Sequence, residues 1–163
     1  MYKLFPTLLA AFFLLTACGN DDDAASPQLN GTMTAKVDGI DWEANVLAQI
    51  TEAGPSVVVT ASTDNSPEGL SSTIQMNLMN VSSTGTYGLD GTNFSAISTA
   101  SYAFTTGSTA NDVSTFNSLG ESGTVRITTF DSNKIEGTFQ FVGAEVQGSA
   151  KRTITDGAFS INR

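Results

Sequence analysis

The sequence predicts an all-β domain, a single antiparallel β-sandwich with a partly open β-barrel as the alternative. Three observations carry this. Apolar and polar residues alternate along short segments, and Asp-Gly and Gly-Pro pairs punctuate them. Serine and threonine make up about a quarter of the chain, and charged residues only 14% of it. That composition suits strands with a neutral, hydroxyl-rich outer face. The 163 residues suffice for one core without disulfides.

The chain opens with the three parts of a secretory signal: Lys3, an apolar run from Leu4 to Leu15, and small residues after it. A dozen apolar residues fall short of the roughly 20 that cross a bilayer, and Pro6 disturbs a spanning helix. Leu15-Thr16-Ala17-Cys18 resembles a bacterial lipobox, and the only cysteine sits where such a signal requires one. The resemblance implies cleavage after residues 1–17 and lipidation of Cys18, whose two or three acyl chains would anchor the protein to the membrane far more firmly than one. The run Asp21-Asp22-Asp23 resembles the acidic export signal that sends Bacteroidota lipoproteins to the cell surface; the alternative is a solvated charge run, with the protein on the periplasmic face of the outer membrane. Residues 18–31 then form the lipidated cysteine and a flexible acidic tether, and residues 32–163 the all-β domain.

Within that domain, Asp38-Gly39 between two alternating runs signals a two-residue type I′ hairpin. Closing it opposes Val37 to Ile40, Ala35 to Trp42 and Met33 to Ala44, with all six apolar side chains on one face and Lys36 facing Asp41 on the other. The alternation runs on from Trp42 through Ala44, Val46, Ala48 and Ile50 as one strand. After a Gly54-Pro55 turn, Ser56–Ser62 and Thr73–Val81 read as strands about a loop at Thr63–Gly69. Gly85–Leu89 is a short strand, Asp90-Gly91 a turn, and Phe94–Phe104 extended. Tyr87 and Tyr102 are candidate ligand platforms, against the commoner role of such aromatics as core or cover for the sheet.

Thr105–Ser122 lacks alternation and reads as a long connection. Val113, Phe116 and Leu119, at i, i+3 and i+6, suggest a helical turn within Asn111–Asn117 pinned to the sheet. Further on, Val125, Ile127 and Thr129 face inward with Ile135, Phe139 and Phe141. An Asp131-Ser132-Asn133 loop matches those faces by pairing Phe130 with Lys134, Thr129 with Ile135, Ile127 with Gly137 and Val125 with Phe139. Asn133 takes the left-handed position of a G1 bulge there. In the last strand inward parity shifts between Ile154 and Phe159, and a bulge at Gly157 absorbs it.

The chemistry is narrowed by what is missing. The chain has no histidine, and the lipobox resemblance commits its one cysteine to lipid. Ser-His-Asp and Cys-His catalysis, histidine bases, disulfides and Cys- or His-built metal sites are therefore ruled out. Carboxylate pairs acting on a glycosidic bond, or oxygen ligands for a hard cation, remain. Asp38, Asp41 and Glu43 are conceivable calcium ligands, but the loop lacks an EF-hand's spacing and Asp38 is spent on the turn. No catalytic residue, metal or cofactor is assigned. A net charge of −9, one unit more negative without Lys3, opposes binding to nucleic acid.

The opening Thr32–Ala44, the central Gly85-Thr86-Tyr87, the Ile135–Phe141 strand and the ending Ile154–Phe159 are similar to an uncharacterised family of small Bacteroidota lipoproteins. The resemblance spans nearly the whole mature domain, implies the fold, and carries no catalytic residues to transfer. The expected function is a surface-exposed outer-membrane lipoprotein acting as a binding module for a glycan or protein. The rivals are a carboxylate-dependent extracellular enzyme such as a glycosidase, and a passive envelope component.

Overall fold

The computed structural model describes residues 29–93, 97–107, 109 and 112–163. The lipobox, Cys18, Asp21, Asp22 and Asp23 lie outside the described residues. The strands are β1 (Gly31–Val37), β2 (Ile40–Glu43), β3 (Leu47–Ala53), β4 (Ser56–Thr63), β5 (Ser71–Met79), β6 (Gly85–Gly88), β7 (Thr99–Thr105), β8 (Val113–Asn117), β9 (Gly123–Phe130), β10 (Lys134–Glu145) and β11 (Lys151–Asn162). They form one antiparallel sheet in the order β2-β1-β11-β10-β8-β7-β5-β4-β3, with β9 and β6 branching from β10. The sheet curls into a half-barrel, so the sandwich and the partly open barrel are two descriptions of this architecture.

The twelve-residue β10 is what joins the two halves. Its first part pairs with β9, from Ile135 opposite Phe130 to Phe141 opposite Gly123, and its end pairs with β8 through Ala144 and Glu145. At the other side the chain preceding β1 meets β3, where Asn30 N donates to Ala48 O at 2.9 Å. Leu29–Gly31 are thereby part of the sheet and not of the tether, because their backbone groups find partners there. Met33, Trp42, Ile74, Met76, Leu78, Tyr102, Phe116, Ile127, Ile135, Ile154 and Ile161 fill the interior. Each such side chain contributes about 1.5–3 kcal/mol relative to exposure.

The first hairpin has the predicted register, Val37 with Ile40, Lys36 with Asp41 and Ala35 with Trp42. Its turn has Asp38 at φ 49° and Gly39 at φ 86°, the two left-handed residues of a type I′ turn. Ile40 departs from expectation: at the tip, beyond the partner half of the curl, it is 54% exposed. The single strand expected from Trp42 is also broken. Asn45 accepts from Thr63 Oγ1 and Asp64 N and donates to Asp64 Oδ1, forming a corner that carries the chain from β2 to β3, the opposite end of the strand order.

Three more local readings are corrected. The helical turn proposed within Asn111–Asn117 is strand β8, with Tyr102 opposite Phe116 and Thr105 opposite Val113. Only Phe116 of the proposed apolar trio is buried, whereas Val113 and Leu119 are exposed. The β-branched Val113 and Thr115 and the free edge of β7 favour extension over a lone helical turn. In the β9–β10 hairpin the distal pairs Ile127 with Gly137 and Val125 with Phe139 hold. Near the turn, Phe130 meets Ile135 and Thr129 meets Glu136, because a bulge at Thr128 shifts the register. Thr129 consequently faces outward, donating to Glu136 Oε2 at 2.6 Å, and Asn133 is not left-handed. Asp131 sets the turn, its Oδ1 accepting from Asn133 N and Lys134 N.

The bulge expected at Gly157 sits one residue earlier. Two residue steps from Thr34 to Lys36 on β1 oppose three from Ala158 to Thr155 on β11, and Asp156 takes φ 51° as the extra residue. Gly157 serves another need. A Cβ there would lie 2.6 Å from Phe139 O and 2.7 Å from its ring, so only glycine lets Phe139 close over β11.

Candidate functional site

The outer face of β2, β1, β11, β10 and β9 is built by the alternation that fills the core beneath it. With Met33, Ala35, Val37, Ile154, Phe139, Val125 and Ile127 inward, the residues between them point out. One row across the sheet runs Glu43, Thr34, Ala158, Thr138, Arg126, Thr86, each opposite the next.

The Asp156 bulge interrupts the regular pleat and leaves relief on this face. A depression of about 540 Å³ lies over β1 and β2, floored by Thr34, Lys36, Asp41 and Glu43 and walled by Asp156 and by Asn45, Thr63 and Asn65 of the corner. Asp156 also borders a second, of about 350 Å³, with Arg126, Thr138 and Gln140. Thr124 and Gln140 are shared with a third of about 280 Å³. The three are neighbours across the strands, bordering one another through these shared residues.

Their charges are of three kinds, one being Arg126, an exposed cation beside the second depression. Lys36 Nζ bonds Asp41 Oδ1 at 2.5 Å, a contact that raises the lysine's pKa. With side chains 40% and 89% exposed, this pair sets register more than stability. Glu43 and Asp156 are exposed and make no ion pair among the described residues. Farther along the face Glu136 is fully engaged, by Lys134 Nζ, Thr129 Oγ1 and Ser160 Oγ, which together lower its pKa to about 2.

The conceivable calcium set is not brought together. Asp38 Oδ1 accepts from Thr153 N at 2.8 Å and Asp41 is held by Lys36. No group of three or more acidic, histidine or cysteine side chains that could hold a metal occurs among the described residues. Of the two tyrosines, Tyr102 is fully buried and is no platform, and Tyr87 is half-buried beside a separate depression of about 270 Å³ with its hydroxyl on Ser83 O. Trp42 borders the first depression from below at 2% exposure, its Nε1 donating to Ser72 Oγ at 2.7 Å.

Sequence reasoning named Asp41 and Glu43 only as conceivable calcium ligands, which it set aside, and did not single out Asp156. The signal was present, since Asp156-Gly157 repeats the Asp-Gly pair of the first turn within a strand. No curated protein and no solved structure matches the chain. A family model described as a domain of unknown function, DUF6252, matches residues 30–161, from the strand-closing Asn30 to the penultimate residue of β11. The chain belongs to that family.

Proposed function

We propose that this chain is a lipid-anchored binding module of the bacterial cell surface, of the Bacteroidota type its leader resembles, which holds a neutral glycan in the groove across β2, β1, β11, β10 and β9. The observation that carries this reading is the lining: hydroxyls, amides, the Arg126 guanidinium and unpaired carboxylates, while of the large apolar residues along it Trp42, Phe139, Phe141 and Ile154 are buried and only Val142 is part-exposed. Sugar hydroxyls donate to carboxylates and exchange hydrogen bonds with threonine and amide groups. A protein partner would instead favour aromatic or aliphatic anchors, and the exposed large apolar side chains, such as Ile40, Leu70 and Leu119, lie off the groove. The first depression is within the roughly 300–1,000 Å³ range of ligand sites. The acidic net charge disfavours polyanionic glycans in this groove.

A glycan array probed with the full chain tests it, alongside the Glu43→Gln and Asp156→Asn variants. Binding of neutral oligosaccharides that weakens in both variants supports the reading; no binding, or binding indifferent to both, sinks it. The unpaired carboxylates also carry the glycosidase alternative, and release of reducing sugar from a bound oligosaccharide, lost in either variant, would select it. For the anchor, Cys18→Ala should abolish palmitate incorporation. Replacing Asp21, Asp22 and Asp23 with alanine should keep the lipid and remove sensitivity to protease added to intact cells.

A further inference from the structure

At the start of β11, away from the groove, Arg152 lies over an aromatic floor. Its guanidinium carbon is 5.0 Å from the Phe116 ring centre and 5.9 Å from that of Phe104, and those two rings stack at 6.1 Å. The 64–70 loop brings Glu68 onto it, with Oε1 2.5 Å from Nε, and Asp38 Oδ2 stands 3.4 Å from the same nitrogen. The contact is close but poorly aligned. Among the described residues, the buried side-chain polar atoms without a hydrogen bond are Arg152 Nε, Glu68 Oε2 and the Tyr102 hydroxyl. Arg152 and Glu68 touch, and Tyr102 packs on the same two phenylalanines at 6.0 and 6.4 Å. Burial pushes the tyrosine's pKa up to about 12 against the lowering influence of the nearby Ser66 and Ser72 hydroxyls, neither of which is aligned for a hydrogen bond, and the charge of Glu68 adds to the rise, so the hydroxyl keeps its proton as a donor.

The same molecule shows what a completed pair looks like. Arg163 lies 4.9 Å over Phe130 and engages Glu52 with two parallel bonds, Nε to Oε1 and Nη2 to Oε2, each 2.5 Å. A guanidinium fork and a carboxylate match in that bidentate way, and Glu68 does not achieve it. The loop that carries Glu68 is tied at its ends, by Asn45 at one and by Leu70 N on Thr105 O at the other.

We infer that Arg152 is a recognition site for a ligand carboxylate and that Glu68 is its stand-in, leaving with the 64–70 loop when a carboxylate able to fill the fork arrives. The incoming group pairs with Arg152 over Phe104 and Phe116, and one of its oxygens accepts from Tyr102. Glu68, once released, is solvated. An acidic sugar or the C-terminus of a peptide offers this group, and the two are separable.

Titration calorimetry of the full chain with glucuronate and with trialanine tests the site, using glucose and amidated trialanine as uncharged controls and Trp42 fluorescence as a fold check. Glu68→Gln, which removes the nearer of the two competing charges and leaves the more distant Asp38, should bind a carboxylate probe at least about tenfold more tightly than the parent. Glu68→Asp should fall between, and Arg152→Gln should abolish binding. Arg163→Gln, at the completed pair, should leave it unchanged. Glucuronate alone would identify an acidic sugar and trialanine alone a chain terminus. Failure of folded Glu68→Gln and Glu68→Asp to bind either probe at millimolar concentration, or binding that survives Arg152→Gln, overturns the assignment.

Discussion

Arg152 and Arg163 stand at the two ends of β11, each over a phenylalanine and each against a glutamate, yet they differ in how completely the pairing is made. At Arg163 both carboxylate oxygens are engaged, and Nη1 adds a bond to Asp131 O. At Arg152 one glutamate oxygen and a nearby tyrosine hydroxyl have no partner. The cation–π contacts are nearly equal, at 4.9 and 5.0 Å, so the aromatic floor does not account for the difference. Its cause is where the glutamate comes from. Glu52 lies on β3, whose position is fixed by its ladder with β4, whereas Glu68 rides on a loop whose backbone answers to its two ends. A strand delivers a carboxylate in register, and a loop delivers it approximately.

The largest effect expected is not at either arginine. Trp42 fills the core below the loosely paired end and bonds Ser72, so Trp42→Ala should cost about 3–5 kcal/mol in denaturant melts followed by circular dichroism. A loss under about 1 kcal/mol would mean that this end does not rest on its core. Arg163→Gln should cost about 1 kcal/mol, the modest worth of a part-exposed bidentate pair, and should speed hydrogen exchange at Asn30 and Asn162, whose backbone bonds lie beside the closure. Tyr102→Phe should leave stability unchanged or raise it by up to about 1 kcal/mol, because it removes a buried donor without a partner. A clear loss would reveal that the hydroxyl is satisfied and would erase much of the contrast.

The smallest effect is a dependence on acid, to which the completed side contributes through Glu52 and Glu136 and the loops through Asp90 and Asp112. Arg163 lowers the pKa of Glu52, and Lys134, Thr129 and Ser160 lower that of Glu136 to about 2. Groups with depressed values stabilise the fold fully above their unfolded pKa, near 4.5, and lose that contribution as pH falls. Stability should thus be flat at mid pH and decline from about 4.5 toward 2. Arg163→Gln should remove the part of that slope due to Glu52, while Arg152→Gln leaves that part in place.

Sequence showed what is decided within a few residues. The Asp38-Gly39 turn, its register and the burial of Trp42 follow from local chemistry and a period of two. Strand β8 was hidden because three apolar residues at helical spacing outweighed a short run with little alternation, and what makes it a strand is the open edge of β7. Asn133 was given the left-handed role because asparagine tolerates it, but Asp131 closes that turn with its own carboxylate. Of the groove, Asp41 and Glu43 were considered in sequence only as calcium ligands and set aside, while Asp156 acquires its place only when β11 lies between β1 and β10. The arginine pairs were beyond reach, since Arg163 meets a glutamate 111 residues away.

β11, the last of the described strands in sequence, lies inside the sheet, third from the β2 end, between β10 and β1, the first of them. Until residues 151–162 are available, β1 has only β2 beside it, and β10 lacks one of its long neighbours. Assembly therefore waits on the slowest kind of contact, the one that spans the chain, and such topologies fold over milliseconds to seconds. A chain stopped short of β11 would expose two long ladders of unpaired backbone, while a complete one gains both in a single late step. Residues 151–162 thus complete both ladders, and β1 is joined to β10 only through them.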